Sequence, residues 1–159
     1  MKAINLRTML LFMILLISQS FLQAQTIVGR WQAGSAQLSN EYNENYQFYA
    51  NGKFNFNTDG EDGLTSIMKI SGVYHILNDT ILFSVQNYVE LTGGTLKFTG
   101  TEPGESSWKF EGNVPHQVKL SNEAEQKGTF KIYKKQNFFI LEIDGAKYYK
   151  VDDNPDKYY

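Results

Sequence analysis

Few residues in this chain are of types that do chemistry on their own. There is no cysteine, and the two histidines are His75 and His116. A nucleophile needs a base within hydrogen-bond reach, and neither histidine has sequence neighbours that form a triad pattern. His75 sits in an alternating stretch, on the face opposite Tyr74 and Ile76. His116 follows Pro115 at a strand start. Both read as surface or boundary residues. Asn57, Asp59 and Glu61 alternate as in a calcium loop, but Asp62 stands where the loop's glycine should be. The glycine comes one residue late, at Gly63, and no glutamate follows at the required spacing. The acidic run therefore reads as a solvated turn. Glu142, between Leu141 and Ile143, alternates onto a solvent face and is not one of a carboxylate pair. No glycine loop of the phosphate-cradling kind is present. These readings assign no catalytic residue, no metal ligand and no cofactor, and the chain is expected not to be an enzyme.

The elements that position these residues are strands. In Asn45–Asn57 a two-residue loop at Asn51-Gly52 would put the aromatics on opposite faces. A three-residue loop, Ala50-Asn51-Gly52, pairs Phe48 with Phe54 and Tyr46 with Phe56, so four rings share one face. It also places Gly52 in the left-handed position such a loop needs. The theme repeats along the chain. Ile67–Leu77 is a strand with Gly72 as a bulge or bend. A turn at Asn78-Asp79 pairs Ile76 with Ile81 and Tyr74 with Phe83 in the strand Thr80–Leu91. Shorter strands are expected at Thr95–Thr99, Ser107–Glu111 and His116–Leu120, broken by Gly93-Gly94, Pro103-Gly104 and Gly112–Pro115. Ser121–Gln126 reads as a charged turn or a single helical turn. Lys127–Lys134 and Asn137–Ile143 form a hairpin across Lys135-Gln136, pairing Ile132 with Phe139 and Phe130 with Leu141. Asp144-Gly145 then returns the chain as Ala146–Val151, with Leu141 opposite Tyr148. The fold class is all-β, with eight to ten strands joined mostly by short turns. Such a run closes into an up-and-down antiparallel barrel or rolls into a sandwich.

The chain has 159 residues, 23 of them aromatic. Residues 1–24 read as a secretory signal peptide: Lys2 and Arg7, an apolar run Met9–Ile17, and a c-region ending at Ala24. Nine apolar residues fall short of the ~20 that span a bilayer, so no integral membrane segment is expected after cleavage. The domain is expected over 25–151 and a loose tail over 152–159. Without Lys2 and Arg7, the 15 basic residues become 13 against 17 acidic, a net charge of −4. That balance disfavours a nucleic-acid partner. The expected location is outside the cytoplasm, periplasmic or extracellular.

Gly29-Arg30-Trp31 lies in the first strand, ahead of the long polar loop Ala33–Glu44. Later come Tyr46-Gln47-Phe48, an Asn-Gly turn, Phe54-Asn55-Phe56 and Gly72-Val73-Tyr74-His75-Ile76-Leu77-Asn78-Asp79-Thr80-Ile81. This pattern resembles the Gly-x-Trp opening of the lipocalin family and the lipocalin-like domains of exported bacterial proteins. The resemblance implies an up-and-down barrel whose tryptophan closes the base and whose long first loop folds over the mouth. It also implies a basic side chain on Trp31, for which Lys147 and Lys150 are the candidates. A small apolar or amphipathic ligand would lie against the inward residues Trp31, Tyr46, Phe48, Phe56, Tyr74, Phe83 and Tyr148. A barrel this size either holds one small ligand or is filled by its own side chains. In the filled case the chain is an envelope or surface interaction protein, touching a protein partner, as yet unknown, or a glycan. Its contact surface would include the outward aromatics Tyr49, Tyr88, Phe138 and Tyr149.

Overall fold

The computed structural model describes residues 27–34, 43–58, 66–98 and 108–157. Eight antiparallel strands run through them: β1 (Gly29–Ala33), β2 (Asn45–Phe48), β3 (Lys53–Asn57), β4 (Ile67–Leu77), β5 (Thr80–Phe98), β6 (Trp108–Lys135), β7 (Phe138–Ile143) and β8 (Ala146–Asp152). Each pairs with its neighbour in sequence, and β8 returns to β1, so the sheet closes into a ring. The closing seam places Trp31 opposite Lys150 and Ala33 opposite Tyr148. Closure leaves no edge strand at this seam. The long polar connection expected from Ala33 begins one residue later, because Ala33 is the last residue of β1.

Face sharing explains most of the registers. In β2 and β3, Phe48 faces Phe54 and Tyr46 faces Phe56. Gly52 has a φ of 79°, and the Tyr49 N–H donates to the Lys53 carbonyl at 2.9 Å. The β4–β5 hairpin pairs Ile76 with Ile81 and Tyr74 with Phe83, with the ladder bulged beside Gly72. The alternating apolar residues of these strands meet in one cluster: Trp31, Phe48, Phe54, Tyr74, Ile81, Phe83, Leu141 and Tyr148 are buried, with Tyr46, Phe56, Ile76, Phe130 and Ile132 packed against them. Ile27 and Ile143 complete it.

Five expectations are corrected. The breaks at Gly93-Gly94 and Gly112–Pro115 do not occur; five expected strands merge into β5 and β6. Gly93, Gly94 and Gly112 take positive φ (74°, 84° and 78°) and bend a continuing ladder instead of ending it. Pro115 is tolerated for a geometric reason. Its partner Leu91 donates its N–H away from it, to the Ser66 carbonyl at 2.7 Å. Pro115 therefore presents its missing donor to the far, unpaired edge of β6.

Ser121–Gln126 is neither a turn nor helical. Val85 faces Ala124 and Asn87 faces Lys119, so Leu120–Glu123 bulge against Gln86 alone. Against β4, Gly72 faces Val85 and Ser71 faces Asn87, so Gln86 is an extra residue in β5 and reverses its alternation. Tyr88 consequently pairs with Ile70, which packs on the core, and lies on the inward side rather than the outward one. The β6–β7 hairpin turns at Gln136-Asn137, not Lys135-Gln136. Lys135 faces Phe138, Ile132 faces Leu141 and Phe130 faces Ile143. Gln136 accepts a φ of 55° there. The two-residue shift keeps the inward face but moves Phe139 to the end of the hairpin, opposite Lys134, where it is exposed.

The last correction concerns the tail. Through Lys157 it is docked, not loose. Gln47 Nε2 donates to the Pro155 carbonyl at 2.7 Å, an Arg30 guanidinium N–H to the Lys157 carbonyl at 3.1 Å, and the Tyr49 hydroxyl to Asp156 at 2.6 Å. The tail thereby covers part of the outer face of β1 and β2. Arg30, Gln32, Asn45 and Gln47 are buried on that face.

Beyond the ring, residues 91–98 and 108–115 continue as a two-stranded arm. Leu96 faces Phe110 and Thr92 faces Val114, so Leu96, Phe98, Phe110 and Val114 share one face. All four are exposed. Lys97 and Glu111 on the other face form an ion pair at 2.6 Å.

Candidate functional site

The seven expected ligand-contacting residues converge in the ring's interior. Tyr46 is their hub: its ring centroid lies 5.3 Å from Phe48, 4.5 Å from Phe56, 5.8 Å from Phe83 and 5.0 Å from Tyr148. Phe48 also meets Tyr74 edge-on at 5.0 Å. These are the spacings of aromatic rings in direct contact. Trp31 is fully buried, and its indole N–H donates to the Ile27 carbonyl at 2.7 Å. The Lys150 ammonium lies 5.5 Å from the Trp31 ring centroid, a cation–π contact. Of the two lysines proposed for this place, the structure uses Lys150. Seam pairing decides between them, since Lys150 is Trp31's cross-strand partner.

The polar ends of the inward aromatics are occupied by the protein itself. The Tyr74 hydroxyl donates to the Tyr49 carbonyl at 3.1 Å, and the Tyr148 hydroxyl to Glu44 at 2.6 Å. Burial pushes the Tyr46 phenol up to about 12, helped by the negative charges of Glu44 and Asp144. Burial alone pushes Tyr74 up to about 12. Tyr148 is raised as well, first by burial and then by its hydrogen bond to Glu44. Each of these phenols holds its proton more tightly folded than unfolded. From the ordinary value of 10.0 upward the unfolded chain releases protons that the folded ring keeps until about 12. Stability that is fully present below pH 10.0 is therefore lost as the pH rises through this window. Following phenolate absorbance and the thermal midpoint together should show the midpoint falling between these values. A midpoint flat across the window would show that the phenols are not held this way.

The outer face of the first strands is built from amides. Asn55 Nδ2 donates to Gln47 Oε1 at 2.9 Å and to the Tyr49 hydroxyl at 3.0 Å, while Asn57 Nδ2 donates to Asn45 Oδ1 at 2.9 Å. Sequence reasoning did not assign these residues, although their alternation with the aromatics of β2 and β3 was visible. Elsewhere outside, Lys131 and Glu142 pair at 2.9 Å. The hydrogen bond from Lys131 holds the Glu142 carboxyl below its ordinary range. His75 is exposed, and His116 lies 3.9 Å from Glu90 at the surface. Of the calcium-like run, Asp59, Glu61 and Asp62 lie outside the described residues, as do residues 1–24 and the Pro103-Gly104 turn. Among the described residues, no group of three His, Cys, Asp or Glu side chains is placed to hold a metal ion.

The fold and this aromatic interior define an all-β chain of eight strands in a ring. Set against protein-family models, curated proteins and solved structures, the chain matches none.

Proposed function

We propose that this chain is an exported lipocalin-like interaction module whose interior is filled by its own aromatic side chains. The observation that carries the reading is Tyr46, whose ring already touches four others. A ligand in the same space would have to displace rings packed at contact distance. The lipocalin-like part is supported by strand order, by the buried Trp31 after Gly29, and by Lys150 stacked on that tryptophan. Export rests on Lys2, Arg7, the Met9–Ile17 run and Ala24. The exposed apolar face of the arm, with Leu96, Phe98, Phe110 and Val114, favours contact with another molecule.

A second reading keeps a small apolar or amphipathic ligand. Its support is the outer layer of the interior, where Tyr46, Phe56, Ile70 and Val85 are only half-buried. A ligand there would rest on Tyr46 and Phe56, while Trp31, Phe48, Tyr74 and Phe83 close the floor beneath it.

Titrating chain that begins at Gln25 with a fluorescent fatty acid separates the two. The filled interior is expected to give no saturable signal. Saturable binding with a dissociation constant on the order of 1 µM, lost in Phe56→Ala, would replace the first reading with the second.

A further inference from the structure

The β6–β7 hairpin outruns its other neighbour. β5 begins at Thr80, opposite Thr129, and the last bond on that side runs from the Phe130 N–H to the Asp79 carbonyl at 2.8 Å. β6 continues to Lys135. Because Phe130 turns its N–H toward the β4–β5 turn, Ile132 and Lys134 turn their backbone groups the same way. Lys131, Tyr133 and Lys135 turn theirs to β7. Among the described residues no strand meets Ile132 or Lys134 on that side. A cavity of about 590 Å³ lies there, lined by the five consecutive residues from Phe130 to Lys134 together with Asn78, Asp79 and Phe139. Successive strand residues point to opposite faces of a sheet. Five in a row therefore border one cavity only along the edge of the strand, where the backbone itself is offered.

We propose that this notch takes an extended, acidic peptide segment of a partner protein, added as a short strand beside Phe130–Lys134. The N–H and C=O groups of Ile132 and Lys134 supply the ladder, as in other cases of strand addition. Phe130, Ile132 and the exposed Phe139 supply an apolar contact on the inner face. Lys134, its ammonium 5.6 Å from the Phe139 ring centroid, stands at the far end of that face. Lys131 stands on the other face, bridged to Glu142. Lys131 is taken up by Glu142, so the charge that favours a carboxylate-bearing segment is that of Lys134, beside Phe139 on the inner face. Five residues span about 17 Å of strand, which suits a peptide. Five residues fall well short of the roughly 20–30 a side that a stable interface uses. The opposite edge of β6, on the side away from β5, is less suited, because Pro115 lacks a donor there; the notch contains no proline. The proposal rests on the interaction-module reading only in making the partner a protein.

The probe is a dye-labelled, N-acetylated pentapeptide alternating glutamate and valine, followed by fluorescence anisotropy against the full mature chain. A second peptide carries N-methyl groups on alternate amides, which blocks a ladder while keeping charge and side chains. Saturable binding is expected for the first peptide, at least tenfold weaker for the second, and at least tenfold weaker for the first against Lys134→Glu. Hydrogen exchange at the Ile132 and Lys134 amides should slow at least tenfold with peptide. Lys131 and Tyr133, already bonded to β7, should not change. Equal binding of the methylated peptide would overturn the proposal, as would no saturation at concentrations on the order of 1 mM. So would a concentration-dependent dimer that protects the same two amides without peptide. The fatty-acid titration reads the interior separately, so failure of the notch and failure of the filled interior remain distinguishable.

Discussion

Phe48→Ala should lower the stability of the ring by about 3–5 kcal/mol, the usual cost of deleting a buried phenylalanine. Phe48 is fully buried and lies against Tyr46, Tyr74 and Phe83. Those rings are held by strands β2, β4 and β5, so the cavity has little freedom to collapse. The loss is a fifth or more of a typical domain's stability of ~5–15 kcal/mol. The control is the next residue. Tyr49 points outward and contributes two hydrogen bonds, donating to Asp156 and accepting from Asn55. Tyr49→Ala should cost roughly 1–2 kcal/mol, together with loosening of the tail. Urea midpoints of the two variants check this. If Tyr49→Ala proves the more damaging, the faces of β2 are assigned the wrong way round.

Where the register was legible, one buried face did the deciding. In β2–β3 a slip of one residue would have put two of four aromatics into water, so the three-residue loop followed from side chains alone. The same logic holds for Tyr74 with Phe83 and for Leu141 with Tyr148. It weakens at the β6–β7 hairpin. There a shift of two residues preserves the faces, and both registers bury Ile132 and Leu141. Turn chemistry had to choose, and a turn at Gln136-Asn137 gives no glycine signal. It fails in the arm. Glycines at 93, 94 and 112 and the proline at 115 mark strand ends in most contexts. Here each sits where a ribbon bends or where the missing donor faces an unpaired edge.

The interior was more legible than the surface for the same reason. Aromatics at alternate positions report which way they point, whereas Arg30 and Gln47 are covered by a tail more than 100 residues away. The hydrogen bond from Gln47 to Pro155 has no local signal in either segment. The notch beside Ile132 is of that kind too. It exists because β6 runs on past Thr129 while β5 stops at Thr80, a difference in strand lengths that no motif records.

Two glycines should respond to alanine in the reverse of the order their backbone angles imply. Gly52 has a φ of 79°, in the left-handed region, where a side chain costs on the order of 1 kcal/mol. Yet a Cβ there would meet nothing nearer than the Tyr74 carbonyl oxygen at 3.7 Å, an ordinary contact. Gly72 is not among the positive-φ glycines, and by conformation alone alanine would be harmless. A Cβ on Gly72, however, would stand 2.0 Å from the Ser84 carbonyl oxygen and 3.1 Å from the Gln86 nitrogen, both backbone atoms of β5. To restore even 3.0 Å, that carbonyl must retreat by 1.0 Å, and no flexible side chain is there to give way. The ladder is already irregular between Ser71 and Gly72, so the strain falls on the bonds just either side of the bulge. Overpacking costs ~1–3 kcal/mol when side chains can shift; with backbone on both sides, Gly72→Ala should reach or exceed the upper end, about 3 kcal/mol. Hydrogen exchange should show the loss concentrated where β4 meets β5, at Val73 and Val85, with the β2–β3 hairpin unchanged. Gly52→Ala should instead loosen only that hairpin's turn. If Gly52→Ala lowers the urea midpoint more than Gly72→Ala does, the close approach of β4 to β5 at this point is not what the ring is built around.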